Sequence, residues 1–153
     1  MTEQLWLEGQ ISVEAAIQGG NREVEAIFLR AGKRDRSFWR LRKTAENAAI
    51  PINEVGEEFF TDHAGGKSHG GVLARVGPRR FQSLDSLLEG QQRPFLVMLD
   101  GIEDPFNFGQ AVRALYAAGA GGLVLRPRNW QSAAAVVTRS SAGASELMPT
   151  AVA

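Results

Sequence analysis

The stretch PFLVMLDGIEDPFNFGQAVR, residues 94–113, decides how the second half of this chain is read. Phe95 to Leu99 is a short continuous apolar run between Pro94 and Asp100-Gly101, the pattern of a strand buried on both faces of a parallel sheet. Asp100 is therefore expected at the carboxyl edge of a sheet, where open α/β folds build their sites. Asp104-Pro105 suits neither a strand nor an easy helix start. Asn107 is a preferred cap residue and is expected to open the next helix, or to lie within a residue of its start, ahead of the helical spacing of Phe108, Val112, Leu115 and Gly119.

Arg113 follows Gly109 by four positions, so the two are expected to share a helix face, with the guanidinium reaching back over a residue that has no side chain. That leaves space for a substrate atom. A helix amino end, an Asn amide and an Arg fork together suit a phosphate or a polarised ribose oxygen. On spacing alone, a surface Arg on an ordinary capped helix fits equally well.

Outward from this stretch, Gly122 to Leu125 reads as a second strand, and Arg126-Pro127-Arg128-Asn129-Trp130 as a loop at the same sheet edge. Ser132 is expected to cap a helix rich in small residues that Pro149 ends. Thr150 to Ala153 reads as a strand just beginning, so the sequence is expected to stop inside a domain.

The first half alternates between the two periodicities. Helices are expected at Ser12–Gln18, capped by Ser12 and stopped by Gly19-Gly20, at Asp35–Ala48 and at Glu57–His63. Strands are expected at Val24–Leu29, Pro51–Val55 and Gly71–Val76, with a loop at Gly65-Gly66-Lys67-Ser68. Residues 78–93 are polar and carry three Arg, but Leu84, Leu87 and Leu88 allow a short docking helix. The expected organisation is α/β throughout: a small three-layer domain over 1–77, a linker over 78–93, and part of a parallel-sheet domain over 94–153.

Composition narrows the chemistry. With 44% hydrophobic residues the chain has the make-up of a globular protein, and no run in it is long enough to span a membrane. It has no cysteine, which excludes disulfides and thiolate zinc sites, and the isolated His63 and His69 do not make a metal cluster. A cytoplasmic protein is expected. Net charge is zero, yet seven Lys or Arg and one acid fall between Arg30 and Lys43, interleaved with Phe38 and Trp39. Such a segment can track nucleic-acid phosphates with its aromatics stacking bases. Equally, Phe38, Leu41, Ala45 and Ala48 recur at helical spacing and would form a core stripe beneath a solvated face.

The segment from Leu99-Asp100-Gly101 through Asp104-Pro105-Phe106-Asn107-Phe108-Gly109 to Arg113 resembles the first motif of the SpoU (TrmH-type) RNA ribose 2'-O-methyltransferases, a branch of the knotted SPOUT class. The likeness runs on through Ala117 to Ala120, Leu123 to Arg128, and Ser141-Ala142-Gly143-Ala144-Ser145-Glu146 to Pro149. Upstream, Gly9 to Val13 with Ala15-Ala16 and Arg22, and His69-Gly70-Gly71-Val72-Leu73-Ala74, resemble the small substrate-binding domain that many members carry in front. The family usually has Gln after that His, where this chain has Gly70.

The resemblance implies a ribosomal-protein-like RNA-binding domain followed by an incomplete α/β-knot domain. It implies transfer of a methyl group from S-adenosylmethionine to a ribose 2'-hydroxyl of rRNA or tRNA. Asn107 and Arg113 are the implied catalytic residues; Arg22, Lys67, His69, Arg126 and Arg128 are the implied RNA contacts. The family's donor pocket is built largely by two later motifs that do not occur in these residues, so no cofactor ligand is assigned and this chain alone is expected to be inactive. Members usually form homodimers. Two other readings fit parts of the sequence: a non-catalytic RNA-binding protein, and a small-ligand module using the Asn107 helix end as an anion site.

Overall fold

A computed structural model describes residues 4–127 and 131–153. The chain begins with strand β1 (Leu5–Glu8), helix α1 (Gln10–Gly19), strand β2 (Val24–Arg30) and helix α2 (Arg36–Asn47). Strand β3 (Ile52–Val55), helix α3 (Glu57–His63) and strand β4 (Val72–Val76) complete the front region. Its sheet has the order β1-β4-β2-β3, with β4 antiparallel to both neighbours and β2 parallel to β3.

The strand period of two sorts the side chains between the faces. Leu7, Ile27, Leu29, Val72, Ala74 and Val76 meet Val13 and Ala16 of α1 and Phe38, Leu41 and Ala45 of α2. On the other face Phe28 stacks on Phe59 of α3 at 4.6 Å, and Trp6 lies 5.6 Å from Phe28. Phe38 is therefore a core residue, while its neighbour Trp39 is exposed.

The back region comprises helix α4 (Leu84–Leu88), strand β5 (Leu96–Leu99), helix α5 (Pro105–Ala117) and strand β6 (Gly122–Leu125), then α6 (Ala134–Ser140), α7 (Ala144–Leu147) and β7 (Thr150–Val152). The three strands form a parallel sheet in the order β5-β6-β7. Leu123 and Leu125 pack with Phe108, Val112, Val137, Ala144 and Met148. On the opposite face Val124 and Ala151 meet Leu87 of α4. Residues 78–93 thus lie against the second sheet instead of running free: Gln82 donates to the Thr150 carbonyl at 2.9 Å.

Four expectations about elements are corrected. Strand β1 was absent from the sequence reading, because four residues are too few to display a period. Helix α1 starts two residues earlier than expected, from Gly9, and Ser12 is buried within it. The single helix expected from Ser132 to Pro149 is two helices, because Ala142 and Gly143 both adopt positive φ. A Cβ on Gly143 would stand 2.6 Å from the Ala15 side chain, so the break also lets α7 approach α1. Helix α5 is opened by Asp104 rather than by Asn107. Pro105 occupies the first turn, where its missing N–H is harmless, and the Asp104 carboxylate accepts from the Asn107 amide at 2.7 Å.

The two regions are joined by a buried ion pair. Arg22 Nε and Nη2 donate to Glu146 Oε2 and Oε1, each at 2.9 Å, and both side chains are almost wholly buried. Arg22 Nη1 donates to the Gly77 carbonyl at 3.3 Å, and Thr138 Oγ1 donates to Glu146 Oε1 at 3.3 Å. Asn21 Nδ2 adds a bond to the Glu146 carbonyl at 2.9 Å. Arg79 reaches the Ser145 and Met148 carbonyls at 3.1 and 2.9 Å. Its burial pushes the guanidinium down to about 10, against the pull of Glu146 and with the push of Arg22, so it stays charged at neutral pH.

Removing one partner of such a pair strands a buried charge. Glu146→Ala is expected to lower the free energy of unfolding by about 3–5 kcal/mol in urea titration, and Arg22→Met with Glu146→Leu by much less. A Glu146→Ala loss no larger than that of the double variant would contradict a desolvated clamp. For α5, Asp104→Ala is expected to cost about 1 kcal/mol and Asn107→Ala only a few tenths; the reverse ranking would return the cap to Asn107.

Candidate functional site

Parallel strands bring the residues after β5 and β6 to one edge. There Asp100 and Arg126 meet at 3.5 Å, both well exposed, which makes the pair weak and easily exchanged for a ligand contact. Leu99, Gly101, Ile102, Phe108 and Leu125 enclose a recess of about 30 Å³ beside them. That is room for a water molecule and far below the roughly 300 Å³ at which ligand pockets begin.

A larger cavity of about 380 Å³ lies between the two regions, lined by Arg22, Arg79, Phe108, Val112, Val137 and Glu146 among others. Its size would admit a nucleoside, but Asn107 and Arg113 do not line it. Of the two guanidiniums there, that of Arg22 is paired with the Glu146 carboxylate, which leaves one net positive charge among these three.

Asn107 and Arg113 are exposed residues of α5, and neither side chain has a hydrogen-bond or ion-pair partner among the described residues. Six positions apart in a helix, they point about 120° away from one another and lie about 9 Å apart along the axis. Arg113 shares a flank with Phe106 and Gln110, which is anchored by a 3.1 Å bond from Gln110 Nε2 to the Ser140 carbonyl. The space expected over Gly109 is filled by α6. A Cβ there would stand 2.8 Å from the Val137 carbonyl oxygen and 3.0 Å from Ser140 Cβ, so this glycine serves helix packing and not substrate access.

In the front region, Lys67 is exposed on its loop. Arg22 is 6% exposed and committed to Glu146, so direct contact with RNA is corrected to a holding role. His69 is 5% exposed, stacked on Phe60 at 4.7 Å, and its Nδ1 accepts from the Gly71 amide at 3.0 Å. That bond leaves the ring proton on Nε2 and makes His69 first a turn-fixing residue. Arg128 lies outside the described residues.

A groove of about 440 Å³ opens at the amino end of α1, lined by Lys33, Ser37, Ser68, His69 and Arg139. It also holds the Glu8 carboxylate, which accepts from Gly65 N at 2.6 Å and from Arg139 at 3.1 Å. Sequence reading missed Glu146 as a clamp, Asp104 as a cap and Arg139 as the partner of Glu8. Only Asp104 had a local signal, an Asp immediately before a helix-opening Pro. The other two pairs span 124 and 131 positions, beyond any periodicity. Among the described residues no group of His, Asp or Glu could hold a metal ion, and no helix is long and apolar enough to cross a membrane.

Two family profiles match the chain in order: RNA 2'-O ribose methyltransferase substrate binding over residues 6–82, and the SpoU rRNA methylase family over residues 94–153. The 23S rRNA (guanosine-2'-O-)-methyltransferase RlmB of Photobacterium profundum is 32% identical over 126 residues, covering 80% of this chain and 51% of that protein. RlmB of Escherichia coli is 27% identical over 152 residues, 97% of this chain and 62% of that protein. The chain thus spans between half and two thirds of the length of these relatives. Among solved structures, an rRNA methyltransferase from Sinorhizobium meliloti superposes with a TM-score of 0.74 at 20% identity, over 99% of this chain and 55% of its own. The SpoU methyltransferase AviRb from Streptomyces viridochromogenes, in complex with AdoMet, gives 0.74 at 16% identity, over 98% and 55%. With both regions matched in order and a fold shared across nearly its whole length, the chain belongs to the SpoU family of RNA 2'-O-ribose methyltransferases.

Proposed function

We propose that the protein to which this chain belongs methylates a ribose 2'-hydroxyl of ribosomal RNA in the cytoplasm, and that residues 4–153 supply its RNA-holding and ribose-side parts. The observation that carries this reading is the uninterrupted motif from Leu99 to Arg113, ending in an exposed Arg on α5 whose side chain has no partner among the described residues.

A neutral ribose hydroxyl is a weak nucleophile, so a site must orient it and stabilise the oxyanion that develops. Arg113 fits that role as a fixed cation whose fork has no partner among the described residues. It acts by orientation and charge and not as a proton acceptor. Asn107 meets the substrate from another side of the helix, since the two residues point apart. Arg126 and Lys67 supply phosphate contacts, and Arg126 exchanges its weak pairing with Asp100 for them.

The methyl donor is S-adenosylmethionine. We assign its pocket to the length by which the relatives exceed this chain. Phe106 and Tyr116 are 55% and 43% exposed on α5 beside Arg113. That apolar flank supports a homodimer in which α5 lies at the subunit boundary.

In the full-length enzyme, Arg113→Ala is expected to reduce kcat for methyl transfer by about 100-fold or more while the donor dissociation constant stays within about twofold. Unchanged turnover would remove Arg113 from the reaction. Calorimetric titration of residues 1–153 with S-adenosylmethionine is expected to show no saturable heat; stoichiometric binding would place the donor pocket in this chain.

A further inference from the structure

The outward face of α2 is not explained by folding. Its inward residues Phe38, Leu41 and Ala45 are buried, and the opposite stripe at i, i+3, i+4 and i+7 is Arg36, Trp39, Arg40 and Lys43. Trp39 is 63% exposed and belongs to no core cluster. Lys43 Nζ sits 5.3 Å from the Trp39 ring centroid, which holds the indole face with a cation beside it. Arg40 is shared with Glu14 at 3.3 Å, whereas Arg34, Arg36 and Lys43 have no carboxylate partner among the described residues. Glu46, in the last turn, is the single acid of the helix. Asp35 caps the helix, its carboxylate accepting from the Phe38 amide at 3.0 Å, while Arg36 in the first turn and Arg40 just after it turn their cations outward.

We propose that this stripe docks an unpaired segment of the substrate RNA, with a base stacked on Trp39 and the flanking phosphates met by Arg36, Arg40 and Lys43. The inference rests on the reading of the protein as an RNA-modifying enzyme and adds a contact surface on the opposite side of α2 from the front core. Cations alternating with an exposed indole match a polyanion that also offers flat apolar faces. A duplex keeps its bases stacked and offers no face to the ring, so the partner is single-stranded or looped.

The test is fluorescence anisotropy with a labelled 12-nucleotide RNA of mixed sequence, free and as a duplex, against the chain and its surface variants. Trp39→Ala is expected to weaken single-strand binding by about tenfold and to leave duplex binding nearly unchanged. Arg36→Ala with Lys43→Ala is expected to flatten the dependence of log K on log salt by about one to two. Single-strand affinity unchanged by Trp39→Ala overturns the proposal, as does a Trp39→Ala variant that changes oligomeric state instead of RNA affinity, which would assign the face to a second copy. Full-length activity separates the two levels. Methylation of rRNA with an RNA KM indifferent to Trp39→Ala leaves the enzyme reading intact and removes this surface, whereas no methylation of rRNA by the unmodified protein removes the reading beneath it.

Discussion

The arrangement of this chain turns on one buried ion pair. The Arg22 fork grips both oxygens of Glu146 with a geometry that partly offsets the cost of taking two charges out of water, and Gly77 and Thr138 occupy remaining hydrogen-bonding positions. Such a pair contributes specificity of arrangement more surely than net stability, because either charge alone in that place is strongly unfavourable. Around it the backbones come unusually close. Gly143 meets Ala15 where a side chain would not fit, and a second glycine, Gly19, admits the Glu146 carbonyl. The front sheet and the back sheet are held in a defined relation by polar contacts that pass through α1, α6 and α7.

On the proposed function, that relation shapes what the molecule offers to RNA. The front region turns Trp39 and the α2 cations outward, and α5 turns Arg113 outward on the back region. Residues implied as RNA contacts divide into two kinds. Lys67 and Arg126 remain available at the surface, while Arg22 and His69 are spent on fixing loops and regions. Arg22 acts by setting where the two surfaces stand.

Much of the fold was legible because its elements carry strong local periods. The apolar run at 95–99 and the stripe Phe38, Leu41, Ala45 each point to one secondary structure, and the chain adopts it, but burial of the run on both faces is corrected: β5 is an edge strand with Met98 exposed, and Phe95 before it is exposed too. The failures have physical causes. Four-residue β1 is too short to show alternation, and the Ala142-Gly143 break is imposed by contact with α1 and not by its own sequence. Asn107 and Asp104 are both good caps, and only the fixed φ of Pro105, which prefers the first helical turn, separates them. Gly109 was read as an opening toward substrate, yet a helix glycine more often marks the close approach of another helix, as α6 shows here. In the site, the motif locates Arg113 on α5, and its six-position spacing from Asn107 already places the two side chains about 120° apart on one helix.

The central claim is that the Arg22–Glu146 clamp makes the two regions one rigid body. Residual dipolar couplings measured on the backbone amides of residues 5–76 and 96–152 test it most directly. A single alignment tensor fitting both sets is the predicted result, and Glu146→Gln should leave two tensors of different magnitude. Two independent tensors in the unmodified chain would contradict the account, because the regions would then reorient freely despite the buried pair.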